Sequence, residues 1–180
     1  MELLDIVDEN GEPTGEVRDR EEIHSKGLLH RTSHLWIVRD NDKGGLDVLL
    51  QKRSDNKDSN PGGYDISSAG HIKAGDGYLN SAIRELREEL GIEASQEELV
   101  QCYVRRVRYE AIFHGKEFRD NQVTRVYRMK RNDINIENLT LQKEEVSSVI
   151  WMDLEECIKA VRDNTFKNCI CLEEIKKILF

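Results

Sequence analysis

The chain lacks the features expected of a membrane protein or of a protein stabilised by disulfide bonds. No apolar run approaches the ~20 residues that a membrane-spanning helix needs. The amino terminus has no basic stretch followed by an apolar one, as a secretory signal would have. None of the four cysteines forms a Cys-x-x-Cys pair; they are Cys102, Cys157, Cys169 and Cys171. We therefore expect a soluble, cytoplasmic protein with free thiols and no membrane partner.

The sequence also lacks an excess of basic residues. Its 35 Asp and Glu outnumber its 27 Lys and Arg, which gives a formal net charge of −8. Proteins that bind nucleic acid polymers usually present a basic surface, so this balance argues against such a partner. A small anionic substrate is still compatible with it, because a metal ion and local arginines can make the potential positive inside a cleft.

The order of sequence patterns predicts one α/β domain over residues 1–180. A β-hairpin is expected at about 2–18, and an amphipathic helix at about 171–179 ends the chain. Strand patterns between them are interleaved with helical ones. The predicted strands are 35–38, 47–53, 65–69, 100–113, 122–129 and 146–152, and the predicted helices are 19–25, 77–90 and 153–162.

The most informative segment is a glycine-containing loop that leads into the helix predicted at 77–90. At ~100° per residue its apolar residues form one stripe, and Glu85, Glu88 and Glu89 share a neighbouring arc. Like charges at this spacing repel one another, so something should compensate them. Mg²⁺ does so readily, since it prefers carboxylate and water oxygens and is often shared with substrate phosphates. A solvated acidic face is the simpler alternative for these glutamates taken alone.

The segment resembles the Nudix box, G-x5-E-x7-R-E-U-x-E-E-x-G-U with U aliphatic, from Gly70 to Ile92. It matches every defined position but one, where Asp76 replaces Glu. The resemblance implies an α/β/α sandwich around a mixed β-sheet and a MutT-like diphosphohydrolase that uses Mg²⁺ or Mn²⁺. It assigns metal binding to Gly70, Asp76, Glu85, Glu88 and Glu89, of which the three glutamates are also the catalytic candidates. Being one methylene short, Asp76 either caps the helix or reaches the metal through water.

Outside the box, the chain resembles the isopentenyl-diphosphate isomerase-like branch of Nudix proteins from about residue 2 to residue 153. The isomerase moves a double bond with a Cys just before its Gly-His and a Glu in a Glu-Asn-Glu-Val segment. Here those positions are Ala69 and Gln122. Neither side chain exchanges a proton at neutral pH. The shared residues are Glu12-Pro13-Thr14-Gly15, His24, His30, Leu35-Trp36, Gln51-Lys52-Arg53, Pro61-Gly62 and Gly70-His71.

The same resemblance implies a second metal site. The isomerase's histidine and carboxylate ligands correspond here to His24, His30, His71 and Asp120, and Gln122 replaces one further ligand. Three histidines and an aspartate suit Mn²⁺ or Zn²⁺. Alternatively, these histidines form hydrogen bonds to the backbone or to substrate. We regard His34 and His114 as ordinary surface or packed residues.

Basic and aromatic residues near the expected cleft are candidates for binding substrate. Alternation along the strand at 100–113 places Arg106 and Arg108 on one face and Arg105 on the other. One reading is a solvated, ion-paired face; the other is that Arg106 and Arg108 grip a terminal phosphate in bidentate fashion. Lys52, Arg53 and Tyr64, which flank the loop before the box, are further candidates.

These patterns predict metal-dependent hydrolysis of a diphosphate linked to an organic group. The substrate is a nucleoside diphosphate derivative or another organic diphosphate, and the box does not specify the organic group. Glu89 is the first choice for the residue that orients or deprotonates water. Residual isopentenyl-diphosphate isomerase activity and a non-catalytic nucleotide sensor are the alternatives, and a homodimer is compatible with the sequence.

Overall fold

The computed structural model describes residues 2–57, 59–113 and 115–179, which contain nine strands and four α-helices. The strands are β1 (Leu3–Val7), β2 (Pro13–Asp19), β3 (His30–Asp40), β4 (Leu46–Arg53), β5 (Tyr64–Asp65), β6 (Ser68–His71), β7 (Val100–Phe113), β8 (Lys116–Lys130) and β9 (Val146–Asp153). The helices are α1 (Arg20–Lys26), α2 (Tyr78–Leu90), α3 (Leu154–Arg162) and α4 (Leu172–Lys177).

Seven strands form a mixed sheet around β3. Their order is β5-β4-β3-β8-β7, with β6 also paired to β3 and β9 to β4. The β3–β8 pairing is parallel, and the other pairings in this sheet are antiparallel. Each of these ladders satisfies backbone hydrogen-bonding groups that would otherwise be buried unpaired. The mixed sheet predicted for this fold is confirmed.

Alternation along β3 builds a core on each face of the sheet. Leu35 and Ile37 belong to one hydrophobic cluster, which contains Leu86 and Leu90 of α2. Trp36 belongs to the other, which contains residues of α3 and Ile175 of α4. Because successive side chains of a strand point to opposite faces, one apolar strand can serve both layers. The result is the predicted helix–sheet–helix sandwich.

Most element boundaries match the sequence prediction. The helix expected at 77–90 is α2, and it ends where Gly91 takes the left-handed conformation with φ 68°. The strand expected at 100–113 is β7, and the helix expected at 153–162 is α3, capped by the Asp153 carboxylate, which accepts from Glu156 N. His114 lies outside the described residues.

The strand predicted at 65–69 is wrong, because the chain there forms two short strands. β5 pairs with β4, whereas β6 pairs with β3. Between them, the buried Ser67 hydroxyl donates to Leu49 O at 2.6 Å and accepts from Ile37 N at 2.7 Å. The Ser67 hydroxyl therefore satisfies backbone groups of β3 and β4 at the point where the chain passes from pairing with β4 to pairing with β3. This crossing carries Gly70 and His71 to the start of the loop before α2.

The amino-terminal hairpin, predicted at 2–18, supports that loop. β1 and β2 form a separate two-stranded sheet. Ala74 N donates to Leu3 O at 2.9 Å, and Gly75 N donates to the Asp5 carboxylate at 2.9 Å. Asp5 in turn pairs with the buried Arg31 of β3 at 2.8 Å. The loop is thus held between the hairpin and the central strand.

Candidate active site

A cavity of about 400 Å³ opens between the carboxylates of α2 and one face of the sheet. Glu85, Glu88 and Glu89 line it, together with Gly70 and residues of α1, β3, β7 and β8. The chain just before α4 contributes Cys169 and Cys171. The cavity therefore has an acidic end, formed by α2, and a wall formed by the central strands.

Glu85 occupies the space where a side chain at position 70 would lie. A Cβ built on Gly70 would be 2.5 Å from Glu85 Oε1 and closer still to its Cγ and Cδ. Real Cβ atoms do not approach other atoms this closely, so any side chain at position 70 would displace Glu85. This close approach gives a physical reason for the first glycine of the box, since it allows a helix carboxylate to lie against the loop backbone.

Glu89 is a buried carboxylate with little to compensate its charge. Its exposed fraction is 5%, and the backbone N–H of Ala69 donates to Oε2 at 3.4 Å. Burial raises the pKa of Glu89 to about 8. An ionised carboxylate in such surroundings is costly unless a proton or a cation accompanies it. Glu89 is therefore suited to hold a divalent metal ion.

Arg84 links the acidic residues of α2 to the loop. Its Nη1 lies 2.8 Å from Glu85 Oε1 and 3.0 Å from Glu88 Oε2, and its Nη2 donates to His71 O at 3.3 Å. Burial raises the pKa of Glu85, and Arg84 partly offsets the effect. Glu88 is the most exposed of the three glutamates, with 42% of its side chain accessible. Arg84 therefore reaches from the helix back to the backbone of the loop.

Asp76 does not cap α2, so that alternative is wrong. The N-cap residue is Gly77, and no side chain in the described part of the protein caps the helix. The backbone of Asp76 is used instead: its N–H donates to Lys73 O at 3.0 Å, and its carbonyl accepts from Arg31 at 3.0 Å. Asp76 is also absent from the cavity lining. Of the acidic residues of the box, the three glutamates of α2 line the cavity and Asp76, in the loop before the helix, does not.

His24, His30 and His71 form a compact cluster beside the acidic end of the cavity. One ring nitrogen from each lies within 4.8 Å of the others, and the Nε2 atoms of His24 and His71 are 3.2 Å apart. Asp120 Oδ1 lies 3.8 Å from His24 Nδ1 and 3.6 Å from His30 Nε2. Four elements bring these residues together: α1, β3, β6 and β8.

The cluster contains buried polar atoms without hydrogen-bond partners among the described residues: His24 Nδ1, His30 Nε2 and Asp120 Oδ1. Burial lowers the pKa of His24 to about 4 and lowers those of His30 and His71 as well. The imidazoles are therefore neutral at pH 7. His30 Nδ1 lies 3.0 Å from Leu28 O, which fixes this nitrogen as the donor and leaves a lone pair on Nε2. Neutral imidazoles at this separation are candidate ligands for a metal ion.

Of the basic and aromatic candidates, only Arg53 lines the cavity. It pairs with Asp65 at 2.9 Å and donates to Ser59 O. Arg106 pairs with Glu9 at 2.8 Å on the outer face, and Tyr64 packs against Phe166 with ring centroids 5.6 Å apart. Lys52 and Arg108, like these two, do not line it. The alternation predicted for β7 is present, but the face that meets the cavity is that of Arg105.

Several charged residues at the cavity were missed by sequence reasoning. Lys57 and Glu145 contact each other at its rim, and His34 and Arg105 lie on its wall. Glu174, in α4, binds both His34 and Arg105. A helical projection offered one clue, because Glu174 lies on the same face as the apolar Ile178 four residues later. Nothing comparable marks Lys57 or Glu145.

Comparison with known proteins agrees with this geometry. A NUDIX domain model matches residues 29–169. The chain is 42% identical over 156 residues to Nudix hydrolase 3 of Arabidopsis thaliana, an alignment that covers 86% of this chain but 20% of that protein. It is 37% identical over 155 residues to an uncharacterized Nudix hydrolase of Clostridium acetobutylicum, covering 86% of this chain and 71% of that one. A crystal structure of DR0079 from Deinococcus radiodurans has a TM-score of 0.69 at 18% identity, covering 97% of this chain and 98% of that one.

The fold and the acidic helix thus define a Nudix domain. The chain belongs to the Nudix hydrolase family, whose enzymes generally require divalent metal ions. None of the helices in the described part of the chain combines the length and apolarity needed to cross a bilayer.

Proposed function

We propose that this enzyme hydrolyses the diphosphate linkage of an organic diphosphate with Mg²⁺ held by Glu85, Glu88 and Glu89. The observation that carries the proposal is the convergence of these carboxylates on one cavity, with Glu89 buried and lacking a cationic partner among the described residues. The carbonyl of Gly70, beside Glu85, is a further candidate ligand. Mn²⁺ would suit the same oxygen donors. Asp76 is retained only as a ligand acting through water.

Bound Mg²⁺ would neutralise the phosphate oxygens and make a bound water more acidic. Glu89 orients the attacking water and accepts its proton, because its buried carboxylate lies against the backbone at Ala69 and lines the cavity that receives the substrate. As the water oxygen forms its bond to phosphorus, the bridging P–O bond breaks and its electron pair leaves with the departing phosphate. Arg84 holds Glu85 and Glu88 in position through its two contacts. Lys57 and Arg53 line the cavity in ion pairs with Glu145 and Asp65, and they are the candidates to contact the substrate's phosphates.

A panel of organic diphosphates, with the cleavage products separated by chromatography, tests this proposal. It should include nucleoside diphosphate derivatives, prenyl diphosphates and thiamin diphosphate derivatives, each with Mg²⁺ and with EDTA in place of metal. We expect Mg²⁺-dependent formation of monophosphate products from at least one class. Cleavage that persists unchanged in EDTA, or no cleavage in any class, would contradict the proposal.

We further propose that the chain is a hydrolase on an isomerase-like scaffold and lacks isopentenyl-diphosphate isomerase activity. Ala69 and Gln122 both line the cavity, where the resemblance places the acid and the base. The Gln122 amide is engaged by the Asp120 carboxylate and accepts from the Thr32 hydroxyl at 2.9 Å. An amide and a methyl group cannot protonate one carbon and deprotonate its neighbour.

Incubation with isopentenyl diphosphate and Mg²⁺ in D₂O separates the two chemistries. The hydrolase proposal predicts no enzyme-dependent deuterium in the C4 methyl group of dimethylallyl diphosphate by NMR. Incorporation above that of a Glu89→Gln control would overturn it.

A second metal site is a separate proposal, supported by the buried lone pairs of the histidine cluster. His24, His30, His71 and Asp120 would hold Zn²⁺ or Mn²⁺. Three imidazoles and one carboxylate match the donors that these ions take. We also propose that residues 1–180 form a single domain, that the protein is cytoplasmic and that it binds no nucleic acid polymer. A homodimer is compatible with this proposal.

A further inference from the structure

The buried carboxylate of Glu174 joins the last helix to the cavity wall. Its exposed fraction is 1%. It accepts from Trp36 Nε1 at 2.9 Å, from His34 Nδ1 at 2.9 Å and from Arg105 Nη1 at 2.6 Å. Two of these donors are on β3 and the third is on β7, so one carboxylate of α4 fixes side chains from strands that do not pair with each other.

This arrangement holds two cationic groups around one anion. Burial alone would raise the pKa of Glu174, but the His34 charge and the hydrogen bonds lower it to about 2. Burial also disfavours the His34 imidazolium, and Glu174 outweighs that effect and raises the pKa of His34. Arg105 alone balances the charge of Glu174, so protonation of His34 would leave the three groups with one positive charge in excess.

The two basic residues of this network line the cavity. His34 and Arg105 line it, with 21% and 20% of their side chains exposed, whereas Glu174 lies behind them. In the part of the chain that the structure describes, Nε and Nη2 of Arg105 and Nε2 of His34 meet no protein acceptor. A guanidinium held by one nitrogen retains donors in a fixed plane, which suits carboxylate or phosphate.

These donors lie within reach of the same substrate as the α2 carboxylates. His34 of β3 pairs with Ala69 of β6, and the N–H of Ala69 contacts Glu89. Arg105 lies further across the sheet, since β8 separates β7 from β3. A substrate with its diphosphate at Glu89 would therefore extend its organic group over His34 towards Arg105.

We propose that His34 and Arg105, positioned by Glu174, form a binding site for a second anionic group, phosphate or carboxylate, on the organic part of the substrate. The inference rests on the proposed function and adds the chemistry of the group that the Nudix box does not specify. A merely structural network would make the same contacts to Glu174 but would not bind a free anion.

Isothermal titration of inorganic phosphate into the metal-free protein tests this site without requiring turnover. We expect wild type to bind phosphate and Arg105→Gln to weaken binding at least tenfold. Arg131→Gln is the matched control, because Arg131 also pairs with a glutamate, Glu98, at 3.0 Å and does not line the cavity. Its phosphate affinity should match wild type. Acetate in a parallel titration shows whether the site prefers carboxylate or phosphate.

A second variant, Arg105→Lys, distinguishes loss of the binding site from loss of folding. Arg105→Lys keeps a charge for Glu174 but removes the planar donors, so it should fold and still bind phosphate more weakly than wild type. The imidazole nitrogens of His34 should shift on phosphate addition in NMR spectra of the wild type. Absence of phosphate binding by wild type, or equal binding by wild type and both Arg105 variants, would overturn the proposal. Neither result would bear on metal-dependent hydrolysis, which uses Glu85, Glu88 and Glu89.

Discussion

Gly70 and Glu85 lie in direct contact, with no room for even a methyl group between the loop backbone and the carboxylate. Gly70→Ala should therefore displace Glu85 from the cavity. We expect kcat for the hydrolysed diphosphate to fall at least tenfold, because a misplaced ligand weakens charge stabilisation in the transition state. Steady-state kinetics in Mg²⁺ measure the effect.

Gly77→Ala is the matched control for this variant. Gly77 has an ordinary φ of −93°, and a Cβ there would meet nothing within 4 Å. Its activity should stay within about twofold of wild type, since alanine replaces glycine at a site without steric conflict. If both variants behaved alike, the contact between Gly70 and Glu85 would have no catalytic role.

The histidine cluster should bind a transition metal independently of α2. We expect His71→Asn to weaken the affinity for Co²⁺ by at least about tenfold, measured from the visible absorption of the bound ion. Losing a residue that only supports a metal ligand already costs about tenfold, and losing the ligand itself should cost at least as much. His34→Asn replaces a histidine of the same cavity outside the cluster and should leave Co²⁺ affinity unchanged. Wild-type affinity in the His71 variant would exclude this ion from the cluster.

Glu174 should make the free energy of unfolding fall at acidic pH. Burial opposes its ionisation, yet His34 and the hydrogen bonds from Arg105 and Trp36 lower its pKa from 4.5 to about 2 in the folded state. Its contribution is therefore complete above about pH 4.5 and is lost as the pH falls towards 2. The shift corresponds to about 3 kcal/mol.

Urea unfolding of wild type and Glu174→Gln at pH 7 and pH 3 measures that contribution. The difference in free energy of unfolding between the two proteins should shrink by about 1–2 kcal/mol at pH 3, where most of the unfolded-state carboxyl is already protonated. A difference that grew at pH 3 would show that Glu174 is not held as a carboxylate.

Asp76 should matter less than the helix glutamates. Its side chain does not line the cavity, and its backbone makes the local contacts. We expect Asp76→Glu to be tolerated and Asp76→Ala to lose less activity than Glu89→Gln does. An Asp76→Ala enzyme as inactive as the Glu89 variant would make Asp76 an essential ligand.

Local patterns were sufficient to predict the sandwich and the acidic helix. The apolar stripe of α2 and the glycine at its end depend on residues close in sequence, and α2 was predicted to within one residue. β3 was underestimated, because its first residues, His30 to Ser33, are polar and buried. Their burial follows from pairing with β8, which is 90 or more residues away in sequence.

The cavity wall could not be predicted for a related reason. Alternation along β7 correctly separated Arg105 from Arg106, but it does not say which face meets the cavity. The face that meets the cavity depends on α4, because Glu174 of that helix forms an ion pair with Arg105. Arg106, on the opposite face of β7, pairs with Glu9 in the turn after β1. Contacts of this kind join distant segments and leave no periodic pattern in the sequence.

The most direct test of metal-dependent hydrolysis is kcat of Glu89→Gln, measured with Mg²⁺ on a diphosphate that the wild type hydrolyses. Glutamine preserves size and helix propensity but removes a ligand charge and a base. If Glu89 stabilises transition-state charge by about 2.7 kcal/mol, kcat falls by about 10² or more. Turnover equal to wild type, in a variant that unfolds at the wild-type temperature or above, would place the chemistry elsewhere.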